Sequence, residues 1–579
     1  MKKKRRKPAR VPVPVQEQGA VVKRGRGLTK VALVYPNTYR AGMSSLGFQT
    51  VYRLANQDER IACERIFLPD TREKNPAIKS LETGLHLDQF DMILFSISFE
   101  NDFLNLARVL RATGIPLRSS DRNHIHPLVA AGGVACFLNP EPIAPFIDLF
   151  LLGEAESLLA PFFDLFHTAD RQQLLSTIET KMKGAYVPSL HSPIFYEVDK
   201  EPVLPLPKAP GPDKIQVQYL SDLSRVKTTT TVMTSDTAFK DTFLIETLKG
   251  CPHGCRFCTA GFIYRPPRVY PKKTILTAMD EACGKTDKVG LVSSAILDHP
   301  DINEICKYGK KKGLSLSFSS LRADKLDDEI IRMLSDSHVK TATIAPEAGS
   351  QRMRDIINKK LDQKQILGAT KALVDKGIIN LRLYFMIGLP FETEADVQAI
   401  VDLVLEIKSV FLEASRKKKK IGTITLSINP FIPKPSTPFQ WAAMTGEVQL
   451  KQRVAIIRQG LKKTANLVLN FESLRQARAH ALLSLGDQRA AGLIELALEH
   501  GWTRAMKMES DYCNRVIYRE KSNGLDMEFS PPLPWDILAH RVSDDFLLKE
   551  FSRAKNEKNS ISCPMKPCTA CRICMADPE

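Results

Sequence analysis

No stretch of the 579-residue chain approaches the roughly 18 uninterrupted apolar residues of a membrane-crossing helix. The richest patch, Phe146 to Gly153, is short and contains Asp148, so an integral membrane protein is not expected. A secretion signal is missing as well: the basic start runs into Val11-Pro-Val-Pro-Val-Gln-Glu-Gln where export needs a continuous apolar segment. The expected location is cytoplasmic. Cysteine is too sparse for a disulfide scaffold, with twelve in the whole chain, and seven of those fall in two tight clusters, which points to metal in a reducing compartment. Acidic residues are nearly absent from the first thirty positions. Glu17 stands there alone against eleven Lys or Arg, so this arm carries +10 of the net +17 and the remainder is only mildly basic. A like-charge block of this kind reads as a disordered tail over residues 1–27, suited to RNA or ribosome contact by counterion release.

What is present describes a folded protein. Hydrophobic residues make up 43% and charged residues 25%, a globular balance, and the length allows roughly three or four domains of about 150 residues. Short apolar runs at Val31 to Pro36, Met92 to Ser98, Pro127 to Gly133 and Asp148 to Gly153 alternate with helical stretches. That alternation predicts an α/β domain over 28–190, a doubly wound parallel sheet of Rossmann-like type. Gly132-Gly133 and Gly153-Glu154-Ala155-Glu156 follow strands, where such sheets expose ligand loops or simply turn. Residues 191–237 carry Pro202, Pro205, Pro207, Pro210 and Pro212 and read as an extended linker. Six further strand-helix units, beginning at Phe243, Val289, Leu314, Thr341, Asn380 and Ile421, predict a partial (β/α)6 TIM-type barrel over 238–450, with its chemistry at the strands' C-terminal ends. Residues 451–555 look helical, and 556–579 form a Cys-rich tail. The run Arg416 to Lys420 is expected to be water-exposed, and the isolated cysteines, Cys63, Cys136, Cys283, Cys306 and Cys513, to be buried small hydrophobes.

The first cluster reads Gly250-Cys251-Pro-His-Gly-Cys255-Arg-Phe-Cys258, directly after the first barrel strand. Three thiolates are one too few for the four irons of a 4Fe-4S cluster, which leaves one iron to a non-protein ligand. The alternative is a structural zinc with His253 as fourth ligand, but residue 253 lies inside the tight loop, whereas zinc-ligand pairs normally arrive from separate loops.

The Cys-x3-Cys-x2-Cys spacing, with Phe257 before its last cysteine, resembles the radical S-adenosylmethionine (radical SAM) superfamily. That resemblance implies a 4Fe-4S cluster whose unique iron is chelated by S-adenosylmethionine (SAM), and whose electron releases a 5'-deoxyadenosyl radical while the protein positions substrate and excludes water. It implies SAM contacts at Phe257 and at later strand ends: Ser293 in Val292-Ser-Ser-Ala295, Ser319 and Arg322 in Ser319-Ser-Leu-Arg322, Glu347 in Ala345 to Ser350, and Gly388 and Pro390 in Met386 to Thr393. The usual Gly-Gly-Glu is absent at the second strand, and Phe391 replaces a glycine of the fifth-strand turn. The bland readings are helix N-caps at the serines and an Arg322–Glu347 ion pair. Asn429 to Trp441 resembles the sixth-strand end of cobalamin-linked and methylthio-transferring branches. A reductant such as flavodoxin or ferredoxin is implied as a partner.

A parallel sheet ahead of such a barrel resembles a vitamin B12-binding domain, and the whole chain resembles an uncharacterised bacterial family that fuses the two. Tyr35-Pro-Asn37-Thr-Tyr39-Arg-Ala-Gly42 carries no histidine to ligate cobalamin, so the sheet either binds a corrinoid without a protein ligand or only closes the barrel mouth. Arg40 is a lone cation there, solvated or holding an anionic group. At the chain's end, Cys563, Cys568, Cys571 and Cys574 supply four thiols at x4, x2 and x2 spacing, enough for a second iron-sulfur cluster or for zinc. Asp487 to Arg489 and Leu533 to Asp536 are read as packing and capping residues. The expected function is a radical SAM enzyme. The rivals are a methyl- or methylthiotransferase acting on RNA or protein, and a non-catalytic iron-sulfur or zinc protein docked on RNA.

Overall fold

The computed structural model describes residues 16–70, 77–166, 170–195, 214–318, 321–337, 339–519 and 532–575. Most of the predicted basic tail, much of the predicted linker and the candidate Ser319 lie outside the described residues. In the N-terminal unit, β1 (Thr29–Tyr35), β2 (Ile61–Phe67), β3 (Met92–Ser96), β4 (Leu128–Gly132), β5 (Leu149–Leu151) and β6 (Ala185–Tyr186) make one sheet in the order β2-β1-β3-β4-β5-β6. All neighbours run parallel except β5 and β6. Alternation along β1 divides the core. Val31, Leu33 and Tyr35 join Phe48, Tyr52 and Phe162 from the helices Leu46–Gln57 and Ala155–Leu165, whereas Ala32 and Val34 join a second core continuous with the barrel. The doubly wound α/β sheet is thus present.

Strand β2 has no counterpart among the expected strands, because Glu64 and Arg65 interrupt its apolar run. Arg65 is 1% exposed, yet its guanidinium meets Glu17 and Glu82 at 2.6 Å each. This pairing also corrects the boundary of the disordered tail at residue 27. Glu17–Gln18 forms a short strand against Met233–Thr234, and Lys23 donates to the carbonyls of Asp58 and Ile61. A salt bridge to a buried arginine holds the segment down despite its basic surroundings.

The barrel comprises β7 (Phe243–Glu246), β8 (Lys288–Val292), β9 (Ser315–Phe318), β10 (Thr341–Glu347), β11 (Asn380–Ile387), β12 (Ile424–Pro430) and β13 (Leu467–Phe471). They form two parallel blocks, β7-β8-β9 and β10-β11-β12-β13. The six expected strands are all there. The seventh corrects the all-helical reading of 451–555: its residues alternate between half-buried and exposed, so it adds to the edge of β12 without an apolar run to announce it. The linker reading over 191–237 fails beyond residue 213, since Ile215–Gln216 pairs with Leu538–Ala539, Gln218 bridges Gly153, and Thr229 bridges Ile245. Backbone pairing to three separate elements fixes that stretch between the sheet and the barrel.

Other expectations divide. Arg416 to Lys420 are exposed as expected, but Arg416 and Lys417 form the last turn of the helix Glu394–Lys417, where cations suit the negative helix end. Four isolated cysteines are buried, but Cys283 is exposed, because it caps the helix Lys272–Ala282 at the surface instead of facing a core. Trp535 donates its indole N–H to Gln440 at 2.8 Å, and the Asp536 carboxylate accepts from the Leu533 amide at 2.8 Å, so this motif packs and caps. Among the described residues, no helix is long and apolar enough to cross a membrane.

Candidate active site

The cysteine loop is pinched at its base, where Leu248–Lys249 pairs antiparallel with Arg268–Val269. Gly250 begins the loop at φ +84°, and a Cβ there would lie 2.7 Å from the Cβ of Tyr264, so only glycine fits this entry. The turn then tightens through Cys258 N–H to Cys255 O at 2.9 Å and Phe262 N–H to Thr259 O at 2.9 Å. Cys255 is buried, and Cys251 and Cys258 are half-buried. Burial, then the neighbouring Cys255, pushes the Cys251 thiol up to about 12 and the Cys258 thiol up to about 11. Three sulfurs crowded into one poorly hydrated loop resist ionisation unless positive charge joins them.

Positive charge faces them. Arg322 lies within electrostatic range of Cys251 and Cys255, and Lys359 of Cys255 and Cys258. Burial works against the charge on both, yet Asp324 and Cys255 hold Arg322 above its ordinary value, and Glu347 and Cys255 do the same for Lys359. The Arg322 guanidinium donates to Asp324 at 3.0 Å and to the Lys359 carbonyl at 3.1 Å, and the Lys359 ammonium donates to Glu347 at 3.1 Å. These pairings replace the expected Arg322–Glu347 ion pair, since each side chain has a nearer partner of its own. Glu347 closes β10 at φ +67°, just after a break in register between Ile344 and Glu347. A non-glycine residue there costs on the order of 1–3 kcal/mol and persists only where its surroundings fix it.

Of the expected SAM residues, Arg322 and Glu347 therefore converge on the thiols. Phe257, inside the loop, is half-buried against the main core. Ser293 is 7% exposed at the end of β8 and accepts from the Ala295 amide at 3.0 Å. Gly388 and Pro390 stand at the end of β11, with their turn tied elsewhere: the Gly388 amide donates to Glu392 at 2.7 Å, and the Thr445 hydroxyl donates to the Gly388 carbonyl at 3.1 Å. Phe391, at φ +67°, occupies the left-handed conformation that glycine adopts without strain, and Arg352 holds its carbonyl while its ring lies 5.9 Å from that of Phe551. The serine expected to cap a helix at Ser350 does so, accepting from the Met353 amide at 3.0 Å. His253, the candidate fourth zinc ligand, directs its Nε2 to Asp298 at 2.8 Å. Among the described residues, no three His, Cys, Asp or Glu side chains stand close enough to share a single metal ion.

Four residues that hold the loop were not foreseen. Arg256, 0% exposed, donates to the carbonyls of Ile356 (2.7 Å), Asp355 (3.2 Å) and Lys558 (2.7 Å), and reaches Glu550 at 3.2 Å. Asn358 donates to the Gly254 carbonyl at 2.9 Å and accepts from the Ser560 amide at 2.9 Å; Ser560 in turn donates to Glu550 at 2.7 Å. The one local signal was Arg256 itself, a cation inside the cysteine spacing; its partners lie a hundred to three hundred residues away in sequence.

The sheet meets the loop's base through buried charge. Arg268 pairs with Glu154 at 2.7 Å, and Lys249, next to Gly250, pairs with Glu156 at 3.2 Å and Glu246 at 3.5 Å. Burial disfavours the Lys249 charge, but Glu246 and Glu156 outweigh it and hold the ammonium well above its ordinary value. The Gly153-Glu154-Ala155-Glu156 end, expected as a ligand loop or turn, thus docks on the barrel. A cavity of about 260 Å³ remains at this junction, lined by Ser96, Gly132, Glu154, Glu246, Lys249 and Tyr264 among others.

A three-thiol loop at the first strand end of a parallel barrel, behind a doubly wound sheet, defines a class of protein. The model described as "Radical SAM proteins, N-terminal" matches residues 47–188, and that of the "Radical SAM superfamily" matches residues 245–404. This chain belongs to the radical SAM superfamily. It is 30% identical over 472 residues to the uncharacterized protein MJ0966 of Methanocaldococcus jannaschii, covering 81% of this chain and 91% of that one. It is 25% identical over 211 residues to the ribosomal protein uS12 methylthiotransferase RimO of Thermodesulfovibrio yellowstonii, covering 33% of this chain and 47% of that relative. Among solved structures, the radical SAM methyltransferase TsrM from Kitasatospora setae superposes with a TM-score of 0.43 at 13% identity, covering 91% of this chain and 98% of that one. The cobalamin-dependent SAM radical enzyme OxsB gives 0.44 at 14%, covering 92% and 84%.

Proposed function

We propose that the chain is a radical SAM enzyme in which Cys251, Cys255 and Cys258 hold a 4Fe-4S cluster. When bound, such a cluster supplies the electron that splits SAM to methionine and a 5'-deoxyadenosyl radical, which removes a hydrogen atom from substrate. The observation that carries this reading is the donor set: three thiols on one loop, the loop's histidine turned to Asp298, and two cations facing the sulfurs. Thiolates that are costly when bare become favourable beside iron, and Arg322 and Lys359 offset the negative charge that three thiolates bring.

The residues proposed to hold SAM are Phe257, Ser293, Ser319, Arg322, Glu347, Gly388 and Pro390. The position of Ser293, Glu347, Gly388 and Pro390 at barrel strand ends supports the set, and the paired charges of Arg322, Lys359 and Glu347 suit a ligand with both an ammonium and a carboxylate. The sheet acts as a lid that excludes water from the barrel mouth. Among the residues lining its cavity of about 260 Å³ there is no histidine to ligate cobalamin, and no step is derived through that group.

A second reading, methyl or methylthio transfer to RNA or protein, draws on the 211-residue likeness to a methylthiotransferase. One assay separates catalysis from a non-catalytic metal protein. Anaerobically reconstituted chain, given SAM and dithionite, is expected to release 5'-deoxyadenosine, and the triple variant Cys251→Ala/Cys255→Ala/Cys258→Ala to release none. Mid-chain thiols that carry only zinc would overturn the reading.

A further inference from the structure

The four terminal cysteines are not on a free appendage. The segment leading to them lies across the cysteine loop, and its first thiol-bearing residue touches that loop through the backbone: the Cys563 amide donates to the Pro252 carbonyl at 2.8 Å. Three contacts just before it run the same way. Arg256, from within the loop, donates to the Lys558 carbonyl and to the Ser560 hydroxyl at 3.1 Å, and the Lys360 ammonium, beside the thiols' cationic wall, donates to the Ser562 hydroxyl at 3.1 Å. A fully buried guanidinium is costly unless its donors are met, so spending two of them on residues 558–560 makes the tail's course part of the loop's own structure. Beyond this anchor the chain folds back on itself, with Met565 and Arg572 in the left-handed region at φ +55° and +61°. Cys574 feels the charges of Cys571, Cys563 and Cys568, and Cys563 those of Cys571 and Cys568. Cys571 is buried, the others are half-buried, and Lys566 and Arg572 beside them are exposed.

We propose that Cys563, Cys568, Cys571 and Cys574 hold a second iron-sulfur cluster that receives single electrons at the protein surface and passes them to the centre on the Cys251 loop. Four cysteines complete the ligation of such a cluster, which leaves no iron open for substrate and suits it to electron transfer. The route inward is short: from Cys563 through one hydrogen bond to the backbone of Pro252, whose neighbour is Cys251. The exposed cations beside the outer thiols suit an acidic one-electron donor of the flavodoxin or ferredoxin class. The balance is one electron: the donor is oxidised by one, the tail cluster is reduced and then reoxidised by one, the loop centre gains that electron, and no atom moves. A single zinc at the same thiols would have no redox chemistry and no use for contact with the loop.

This proposal rests on the reading of the loop as a cluster site, and the test separates the two. Full-length chain, reconstituted anaerobically with iron and sulfide, is expected to hold about eight irons, and about four after Cys563→Ala/Cys568→Ala/Cys571→Ala/Cys574→Ala. The loop triple alanine variant is expected to keep about four irons, in the tail alone. Reduced wild-type chain should show electron paramagnetic resonance lines broadened by a second nearby spin, and the tail variant should show the loop signal unbroadened, which also reports that it has folded. With a flavodoxin donor, SAM cleavage by the tail variant should fall at least tenfold, and by a much smaller factor with dithionite. Zinc or no iron in the tail of the loop variant overturns the proposal, as does full flavodoxin-driven cleavage by the tail variant. Wild-type chain that holds tail iron but cleaves no SAM would instead overturn the function proposed for the loop, and the electron route with it.

Discussion

Two parallel sheets present their C-terminal edges toward one another in this molecule, and they use their polar groups in opposite ways. At the N-terminal sheet, the carboxylates are consumed by the neighbouring unit: Glu154 by Arg268, Glu156 by Lys249, and Glu100 by Lys434 at 2.5 Å. At the barrel, the strand ends bring Arg322, Lys359 and Glu347 up to three thiols, and the two cations there are already paired with Asp324 and Glu347. Both edges are where ligands bind in such folds. Here the first edge is an interface and the second the candidate site. An open strand end becomes a lid when its charges are matched by protein, and a ligand site when matching is left to something else.

The largest break in that comparison comes from removing a buried charge on the site side, inside the cysteine loop itself. Arg256→Ala would strand Glu550 without its ion pair and release the loop from residues 355–356 and 558–560 at once. Breaking a buried pair from one end costs on the order of 3–5 kcal/mol. Thermal unfolding should show a fall in Tm of many degrees, and reconstituted protein should lose iron. Arg256→Lys should recover little of either, because one ammonium cannot reach three directions.

Next in size is Lys249→Met, which leaves Glu156 and Glu246 facing each other in a buried junction. We expect a loss approaching 3 kcal/mol by denaturant titration, and recovery of most of it in the double variant with Glu156→Gln. If Lys249→Met were as stable as the parent, the sheet would not be docked by charge, and its role as a lid would fall.

These effects mark what could and could not be seen along the chain. The loop cysteines, the six barrel strands and the parallel sheet are written in local patterns: spacing within eight residues, and apolar runs bounded by turns. Strand β2 was hidden because Arg65 and Glu64 look like surface residues until Glu17 and Glu82 are known to meet Arg65. Strand β13 was hidden because an edge strand with a half-exposed face needs no apolar run. Arg256, Asn358 and Ser560 escaped notice because their meaning lies wholly in partners far along the chain. Patterns report what a segment prefers, and the partners of buried charge are decided by tertiary packing.

A pH titration sharpens the comparison further. Burial pushes the Glu392 carboxyl up to about 7, against the Gly388 amide and Arg453, which favour its charged form. A carboxyl whose folded-state value exceeds its unfolded value of 4.5 binds its proton more tightly in the native state, so its contribution to stability is complete below pH 4.5 and is lost as pH rises toward 7. The loss is on the order of 3 kcal/mol across that window. Glu392→Gln should flatten this part of the stability profile. An unchanged slope would show that the turn at Gly388 is held by its backbone contacts and not by the protonated acid.

The smallest expected effect sets the scale for the others. Arg40 lies 3.6 Å from Asp236 with side chains 62% and 48% exposed, an ion pair in water. Solvent screens that pair, whereas Lys249 and Arg256 are shielded from it. Arg40→Ala should therefore change stability by less than about 0.5 kcal/mol in a denaturant titration, with no loss of iron on reconstitution. A larger loss would mean that the end of β1 holds a ligand or partner through this arginine, and the sheet edge would then be a site in its own right.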